Sequence, residues 1–301
     1  MDNNDILFEI ERYRKRMFRM FLIFRIIGII GIVAAIAMLI IAIMKERRFL
    51  IGTGIATIIY IAFSLIGEKF KNDYKKEIDR KVEKLLLDKY FVNYEYDDKF
   101  GIDLNLFMRP GFFARPSRYV NHGYLKSSYK GVNFERGYYD LQKQKRSENK
   151  DGSEFVTSIS YSKGIFFCFH LDNDNHNIIK IAQWDAKYSN METNKSLCSM
   201  STNFGAFDNK FKVLTLNEKD SYAFLTGERL EKIIELSRKY KGYLYMAYID
   251  SDIYIAINTD EKADIPINKK ITKEAIDKAI SYYTLPMEII DKLKIVDLMF
   301  E

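Results

Sequence analysis

Two apolar runs without a charged residue stand near the start of the chain. The first covers residues 26–44 and the second residues 49–67. Each has 19 residues, close to the roughly 20 that an α-helix needs to cross the hydrocarbon core of a bilayer. Residues 45–48, Lys-Glu-Arg-Arg, separate them and are enough for a tight turn. The pattern predicts a transmembrane helical hairpin.

Basic residues are distributed unevenly around the two runs. Six Lys or Arg residues lie within residues 12–25 and four within residues 69–76, whereas the turn holds three. Because cytoplasmic flanks carry the excess of Lys and Arg, both termini are predicted to be cytoplasmic, with two spans in the cell membrane. A cleaved signal peptide is the alternative, but the first run is longer than a signal-peptide core and a second run follows at once.

One face of the second run is polar, with hydroxyl groups spaced four, three and four residues apart at Thr53, Thr57, Tyr60 and Ser64. This spacing places them on one face of a helix. Small residues also recur four apart, at Gly31 and Ala35 and at Gly52 and Ala56, and such pairs let helices approach closely. Packing within the hairpin explains both features. Oligomerisation through the transmembrane helices, or a conducting surface, is the alternative.

The rest of the chain is long and apolar enough to build a folded core. Of its 301 residues, 48% are hydrophobic and 15% aromatic. We predict a basic cytoplasmic helix (1–25), the transmembrane hairpin (26–67), a juxtamembrane helix (68–90) and a cytoplasmic α+β domain (91–301). The juxtamembrane helix has apolar residues at helical spacing, and it is predicted to pack against residues 3–19 as an antiparallel stalk.

The net charge of +6 is concentrated near the membrane, because residues 1–67 hold nine Lys or Arg against five Asp or Glu. This distribution favours contact with the lipid bilayer and its anionic headgroups, and no nucleic-acid partner is expected. The two cysteines, Cys168 and Cys198, do not make a disulfide framework. Reduced thiols suit a cytoplasmic location.

In the first part of the α+β domain, glycine and proline residues that break secondary structure alternate with short apolar stretches. Residues 91–118 predict an irregular segment with a loop from Arg109 to Arg118. Residues 119–141 predict short strands, and the polar stretch 143–153 predicts a mobile loop.

The next part predicts a hairpin. Phe155–Leu171 is interpreted as two strands on either side of Ser162–Gly164. The polar turn Asp172–Asn177 then leads into a strand over 178–184, which is predicted to pair back. The polar stretch 187–203 predicts a loop.

The last part combines strands with helices. Phe211–Leu216 predicts a strand, and Thr226 is placed to cap a helix that stops at Gly242. A second hairpin is predicted for 243–258, with its turn at 250–252. Two helices are predicted to follow, one that begins near Thr272 and one that follows Pro286 and runs to the C-terminus. The order of elements predicts an α+β fold with mostly antiparallel strands.

Five stretches resemble a bacterial family, the domain-of-unknown-function 3137 family. They are Tyr129–Phe134, Lys163–Phe167, Phe207–Val213, Ala223–Thr226 and Ile253–Ile257. The resemblance covers most of the chain from about Glu68 and implies an N-terminal hairpin joined to a cytoplasmic α+β region. The family pattern has a proline where this chain has Gly227, which predicts a looser helix start. The resemblance implies no established activity.

Cys168 and His170 are the candidate chemical residues, because residues two apart on a strand share a face. They could hold a metal or act as a thiol–imidazole pair. The alternative is a buried cysteine beside a hydrogen-bonded histidine. No second Cys/His pair has metal-ligand spacing, and Cys198 and His176 could join only through tertiary contacts. We therefore assign no catalytic residue, metal or cofactor from the sequence.

Other motifs are weak. Asp172–His176 imitates the start of a calcium loop, but Asn177 and Gln183 stand where glycine and glutamate are required. No phosphate loop, dinucleotide motif, nucleophile elbow or zinc-protease helix is present.

An arginine–aromatic loop is the second candidate site. Its members Arg109, Phe112, Phe113, Arg115 and Arg118 surround two prolines. Such a loop could contact anionic lipid or an acidic partner, and a solvated loop is the alternative.

Taken together, these features predict a membrane-anchored protein whose cytoplasmic domain binds another membrane or cytoplasmic protein, or a small ligand. A membrane-associated enzyme at the inner leaflet is one alternative, although no catalytic motif supports it. A component of a transport or envelope complex is the other.

Overall fold

The computed structural model describes residues 3–44, 49–148, 154–173, 177–186, 190–191, 196–259 and 270–299. Its helices are α1 (Asn3–Met44), α2 (Phe49–Tyr90), α3 (Leu104–Met108), α4 (Gly205–Asp208), α5 (Glu218–Phe224), α6 (Gly227–Lys239), α7 (Lys273–Tyr283) and α8 (Leu285–Lys292). Its strands are β1 (Tyr94–Asp97), β2 (Arg118–Tyr129), β3 (Val132–Glu148), β4 (Glu154–His170), β5 (Ile178–Gln183), β6 (Cys198–Met200), β7 (Phe211–Thr215), β8 (Tyr243–Ile249) and β9 (Asp252–Asn258). The chain divides into two units, 1–89 with 263–282 and 90–262 with 283–301.

The first unit is built on α1 and α2, which have 42 residues each. At 1.5 Å per residue each helix is about 63 Å long, roughly twice the hydrocarbon thickness of a bilayer. Both contain windows apolar enough to cross a membrane, with mean hydropathies of 2.7 and 1.6, and only 11% of each window is buried. These are two candidate membrane-spanning helices. The turn predicted at 45–48 lies outside the described residues.

The small and hydroxyl residues of the apolar halves pack within the pair. A Cβ placed on Gly31 would lie 3.6 Å from the backbone nitrogen of Tyr60, so the two helices are close at this point. Thr57 donates its hydroxyl hydrogen bond to the carbonyl of Thr53, at 2.9 Å on its own helix. The observed contacts agree with packing inside the hairpin.

The polar halves of the same helices form the predicted stalk. The Tyr74 hydroxyl donates to the Arg14 carbonyl at 2.9 Å, and Lys81 pairs with Glu9 at 3.0 Å. The apolar seam consists of side chains at most 2% exposed, which are Ile10, Ile78, Val82, Leu86 and Leu87. The prediction of an antiparallel stalk is confirmed.

A third segment joins this unit. Glu11 accepts a hydrogen bond from the backbone of Ile271 at 3.2 Å, and Ile276 and Ala279 of α7 are buried. A hydrogen bond from Arg14 holds the pKa of Glu11 below its ordinary value.

The second unit is organised around one sheet. The described strands lie in the order β1-β2-β3-β4-β9-β8-β5-β7-β6, and every neighbouring pair is antiparallel. One face carries an aromatic cluster in which α3 and the segment after it pack on the strands through Phe107, Phe112 and Phe113. On the other face, Phe224 of α5 stacks on Tyr248 of β8, and α8 contacts β3. The predicted α+β class with antiparallel strands is confirmed.

Several local predictions are wrong around β3 and β4. Each has 17 residues, whereas the sequence predicted short strands over 119–141 and two strands on either side of Ser162–Gly164. Residues 143–148, predicted as a mobile loop, are strand, and residues 149–153 lie outside the described residues. Gly164 does not break the chain. It allows close approach, because a Cβ there would lie 1.9 Å from the Ile257 carbonyl oxygen.

The predicted hairpin between β4 and β5 is also wrong, because β9 and β8 lie between them. The connection instead crosses the β8–β9 turn, where the Leu171 amide donates to the Ser251 carbonyl at 2.7 Å. The Ser251 hydroxyl in turn donates to the Asn173 carbonyl at 2.5 Å. A polar turn shows that the chain reverses and does not identify the strand that pairs next. Residues 174–176 lie outside the described residues.

The C-terminal predictions are confirmed more closely, except at two helix ends. α6 ends at Lys239 and not at Gly242, and α8 ends at Lys292 and does not continue to the C-terminus. β7 forms, and β8 and β9 pair as a hairpin around the predicted turn. The Thr226 side chain accepts a hydrogen bond from the Arg229 amide and caps α6, which starts at Gly227. The helix therefore begins at Gly227.

The close approach at Gly164 makes a testable prediction. Gly164→Ala pushes β4 away from β9, and overpacking of this kind costs about 1–3 kcal/mol. We expect the melting temperature of the full-length protein in detergent to fall by several degrees. Gly227→Ala is the matched control, because a Cβ placed on Gly227 would have no atom within 4 Å. Equal melting temperatures for the two variants would contradict the proposed constraint.

Candidate functional site

A cluster of polar side chains gathers at the end of β4. In the sheet register Cys168 lies opposite Glu135 of β3 and Tyr254 of β9, and His170 lies opposite Asp252. Because directly opposite residues, and residues two apart, share a face of a sheet, all five side chains project from the same face.

His170 is held between two carboxylates. Its Nδ1 lies 2.8 Å from Asp252 Oδ1, and its Nε2 lies 3.3 Å from Glu135 Oε1. The Cys168 Sγ lies 3.9 Å from the same Nδ1. Both ring nitrogens therefore face an acceptor, which favours the imidazolium form.

The two carboxylates have further partners. The Tyr124 hydroxyl donates to Glu135 Oε2 at 2.9 Å, and the Tyr254 hydroxyl donates to Asp252 Oδ2 at 2.8 Å. Arg109 donates to Asp252 at 3.1 Å and to Asp250 at 2.9 Å. These hydrogen bonds fix the orientation of both carboxylates.

Local backbone features position these partners. Between His122 and Leu125 the register of β2 shifts at a bulge, and Gly123 there has a φ of +67°. Glycine adopts this conformation without steric cost, and the bulge brings Tyr124 to Glu135. Asp250 has a φ of +54° in the β8–β9 turn, a conformation that aspartate tolerates better than most residues.

The cluster has a marked effect on protonation. The hydrogen bond with Asp252, followed by those with Cys168 and Glu135, raises the pKa of His170 far above its ordinary value of 6.5. The hydrogen bond with His170 lowers the pKa of Glu135. Burial alone would raise the pKa of Asp252, but hydrogen bonds from His170 and Tyr254 bring it below the ordinary value.

Burial raises the pKa of the Cys168 thiol, which is 0% exposed. A protonated thiol is a weak nucleophile, and an imidazolium has no lone pair with which to accept a proton. In this state the pair is not arranged for thiol–imidazole catalysis. The donor atoms of Cys168, His170 and Asp252 do lie within 4.8 Å of one another, as metal ligands would.

The other sequence candidates are distributed differently. Of the arginine–aromatic loop, only Arg109 joins the cluster. Phe112 and Phe113 are each 1% exposed and pack on Tyr245, so in this fold their rings are not available to touch a bilayer. Arg115 and Arg118 are exposed. Cys198 is exposed on β6, and His176 lies outside the described residues.

Sequence reasoning misses Tyr124, Glu135, Asp252 and Tyr254. They reach His170 through pairings between strands far apart in the chain, and no local spacing reports such pairings. The one available signal is the predicted turn at 250–252, which places Asp252 at the start of a strand.

Comparison with known proteins gives one family match. Residues 162–295 match the model of a family described as "Protein of unknown function (DUF3137)". This confirms the resemblance inferred from the sequence. The matched segment contains Cys168, His170 and Asp252. It begins later than the predicted start near Glu68, so the stretch Tyr129–Phe134 lies outside it.

A solved structure, the mycobacterial trehalose monomycolate transport factor A, TtfA, is similar with a TM-score of 0.36 and 8% sequence identity. The similarity covers 72% of this chain and 94% of that chain. A similarity this weak supports no inference about fold or function. No curated protein matches the chain significantly.

Two aspartates bound by the same arginine provide a matched test of the cluster. The Asp252 side chain is 13% exposed and that of Asp250 is 61% exposed. Asp252→Asn leaves a partly buried imidazolium without its main partner, at an expected cost of about 2 kcal/mol or more. Asp250→Asn removes an exposed pair worth less than about 1 kcal/mol.

We expect the melting temperature in detergent, measured in excess chelator, to fall by roughly 5 °C for Asp252→Asn and by less than about 3 °C for Asp250→Asn. The reverse order would show that Asp252 is not central to the cluster.

Proposed function

We propose that this chain is a membrane-anchored binding protein whose α+β domain faces the cytoplasm and docks another protein. The observation that carries the binding role is an exposed two-stranded arm, residues 142–148 of β3 paired with residues 154–160 of β4. The two candidate spans support anchoring, and the excess of basic residues in their outer flanks supports the orientation.

The arm extends past its neighbours in the sheet. The pairing of β2 with β3 ends at Gln142, and the pairing of β4 with β9 ends at Gly164. Beyond these points, within the described residues, the two strands pair only with each other. An isolated two-stranded ribbon is marginally stable in water, so an arm of this length gains stability when a partner covers it.

The surface of the arm combines apolar and basic side chains. Val156 is 57% exposed and Ile159 is 50% exposed. Lys143 and Lys145 share the face of Ile159, and Arg146 lies opposite Val156 on the other face. Each face therefore presents an apolar residue beside positive charge, which is complementary to a protein surface with an apolar patch and an acidic rim.

The domain is proposed as a binding module and not as an enzyme acting through Cys168 and His170. Burial raises the pKa of the Cys168 thiol, and the hydrogen bond with Asp252 raises the pKa of His170, so a thiolate nucleophile and a neutral imidazole base are both disfavoured.

Orientation is testable with the native cysteines. Cys198 is exposed and Cys168 is buried, so a membrane-impermeant maleimide should label the native protein at Cys198. In spheroplasts of a bacterial host, we expect labelling only after permeabilisation. Cys198→Ser should abolish it, and Glu46→Cys in that background should be labelled without permeabilisation. Labelling of Cys198 in intact spheroplasts would reverse the proposed orientation.

The docking role is testable with a photo-crosslinking residue at Ile159 and, as the matched control, at Glu231 on the exposed side of α6. We expect a discrete protein adduct from Ile159 that is absent from Glu231. Lys145→Glu with Arg146→Glu should reduce that adduct at least several-fold while the melting temperature is unchanged. Identical adduct patterns from both positions would contradict the proposal that the arm docks a partner protein.

A further inference from the structure

We propose that Cys168, His170 and Asp252 form a binding site for a divalent transition metal of the zinc type, with one coordination position open. Each residue offers one donor atom, the Cys168 sulfur, a ring nitrogen of His170 and a carboxylate oxygen of Asp252, and all lie within 4.8 Å of one another. The inference is independent of the docking arm and of the orientation of the membrane hairpin.

The donor set favours zinc over harder cations. A thiolate, an imidazole and a carboxylate are ligands that zinc accepts together, whereas calcium and magnesium prefer oxygen alone. Tetrahedral zinc with ordinary bond lengths places neighbouring donor atoms about 3.5 Å apart. The observed separations, 3.9 Å for Sγ to Nδ1 and 2.8 Å for Nδ1 to Oδ1, lie on either side of that value. Adjustments of about half an ångström would bring these two pairs to it, and the Cys168 sulfur lies within 4.8 Å of the carboxylate oxygen.

The histidine and the aspartate already have the hydrogen-bond partners that orient metal ligands. A histidine that binds a metal through one ring nitrogen usually donates from the other nitrogen to a carboxylate. Here Nε2 of His170 faces Glu135, which Tyr124 orients in turn. The second oxygen of Asp252 accepts from Tyr254 and Arg109. If the cluster served only to pair His170 with Asp252, it would not require Glu135 and Tyr124 at Nε2 in addition to Tyr254 and Arg109 at Asp252.

Exposure indicates an open position. Cys168 is fully buried, but the His170 side chain is 35% exposed and that of Asp252 is 13% exposed, so solvent reaches part of the donor group. Three protein ligands and one exchangeable position are typical of zinc sites that bind water or a small ligand, whereas structural sites have four protein ligands.

Metal binding balances in charge. A thiolate, a neutral imidazole and a carboxylate with a divalent cation sum to zero charge. Each ligand that carries a proton before binding releases it to solvent.

The test uses full-length protein in detergent, without a polyhistidine tag, stripped with chelator and titrated with Co²⁺ as the probe. We expect one Co²⁺ per chain and a thiolate-to-cobalt charge-transfer band that Zn²⁺ displaces. Cys168→Ser should lose the band, and Cys198→Ser, the matched control, should keep it. Glu135→Gln should keep the band but weaken zinc affinity by about 10–100-fold.

X-ray absorption of the zinc-loaded wild-type protein gives a result that does not depend on the folding of any variant. One sulfur among nitrogen and oxygen ligands is the expected coordination. Absence of a thiolate band from the wild-type protein, or zinc without a sulfur ligand, would overturn the proposal. A band that disappears with Cys198→Ser and persists with Cys168→Ser would also overturn it.

Discussion

The partial pairing of β4 with β9 is the constraint on which the second unit depends. β4 pairs with β3 along its whole length, but β9 covers it only from Gly164 to His170. The covered half is buried on both faces and ends in Cys168 and His170. The uncovered half extends into the arm. One strand therefore supplies two of the three proposed metal ligands and half of the proposed docking surface. Gly164 marks the boundary, because a side chain there would collide with β9.

The composition of β4 reflects this division. Its first half is rich in hydroxyl residues, of which Thr157, Ser158 and Ser160 are exposed, and its second half, from Ile165 to Phe169, is apolar at every position. Sequence reasoning identifies the second half as a central strand but interprets the first as a separate strand preceded by a mobile loop. The error is physical in origin, because an exposed ribbon lacks the alternation of apolar and polar residues that a half-buried strand requires.

Elsewhere in the chain, the sequence predicts elements that depend on local signals and does not predict contacts that depend on strand order. Long apolar runs, the cap at Thr226 and the β8–β9 turn are local signals, and each predicts its element well. The site is different. Cys168 and His170 are adjacent on a strand and can be found from spacing, whereas Glu135 and Asp252 reach them only through the strand order. That order depends on long-range burial, which no turn or spacing motif specifies, and the mistaken pairing of β4 with β5 has the same cause.

The carboxylates around His170 explain how these donor groups stay together in the fold. Three buried or half-buried groups that can each carry charge would separate if their charges were left uncompensated. A proton on His170 compensates Asp252 and Glu135, and the buried thiol stays neutral, so the donor atoms remain together. A divalent cation would take the place of the protons on its ligands. In the proposed site, proton and metal would therefore compete for the same side chains, because both need the lone pair on Nδ1 of His170 and the sulfur of Cys168.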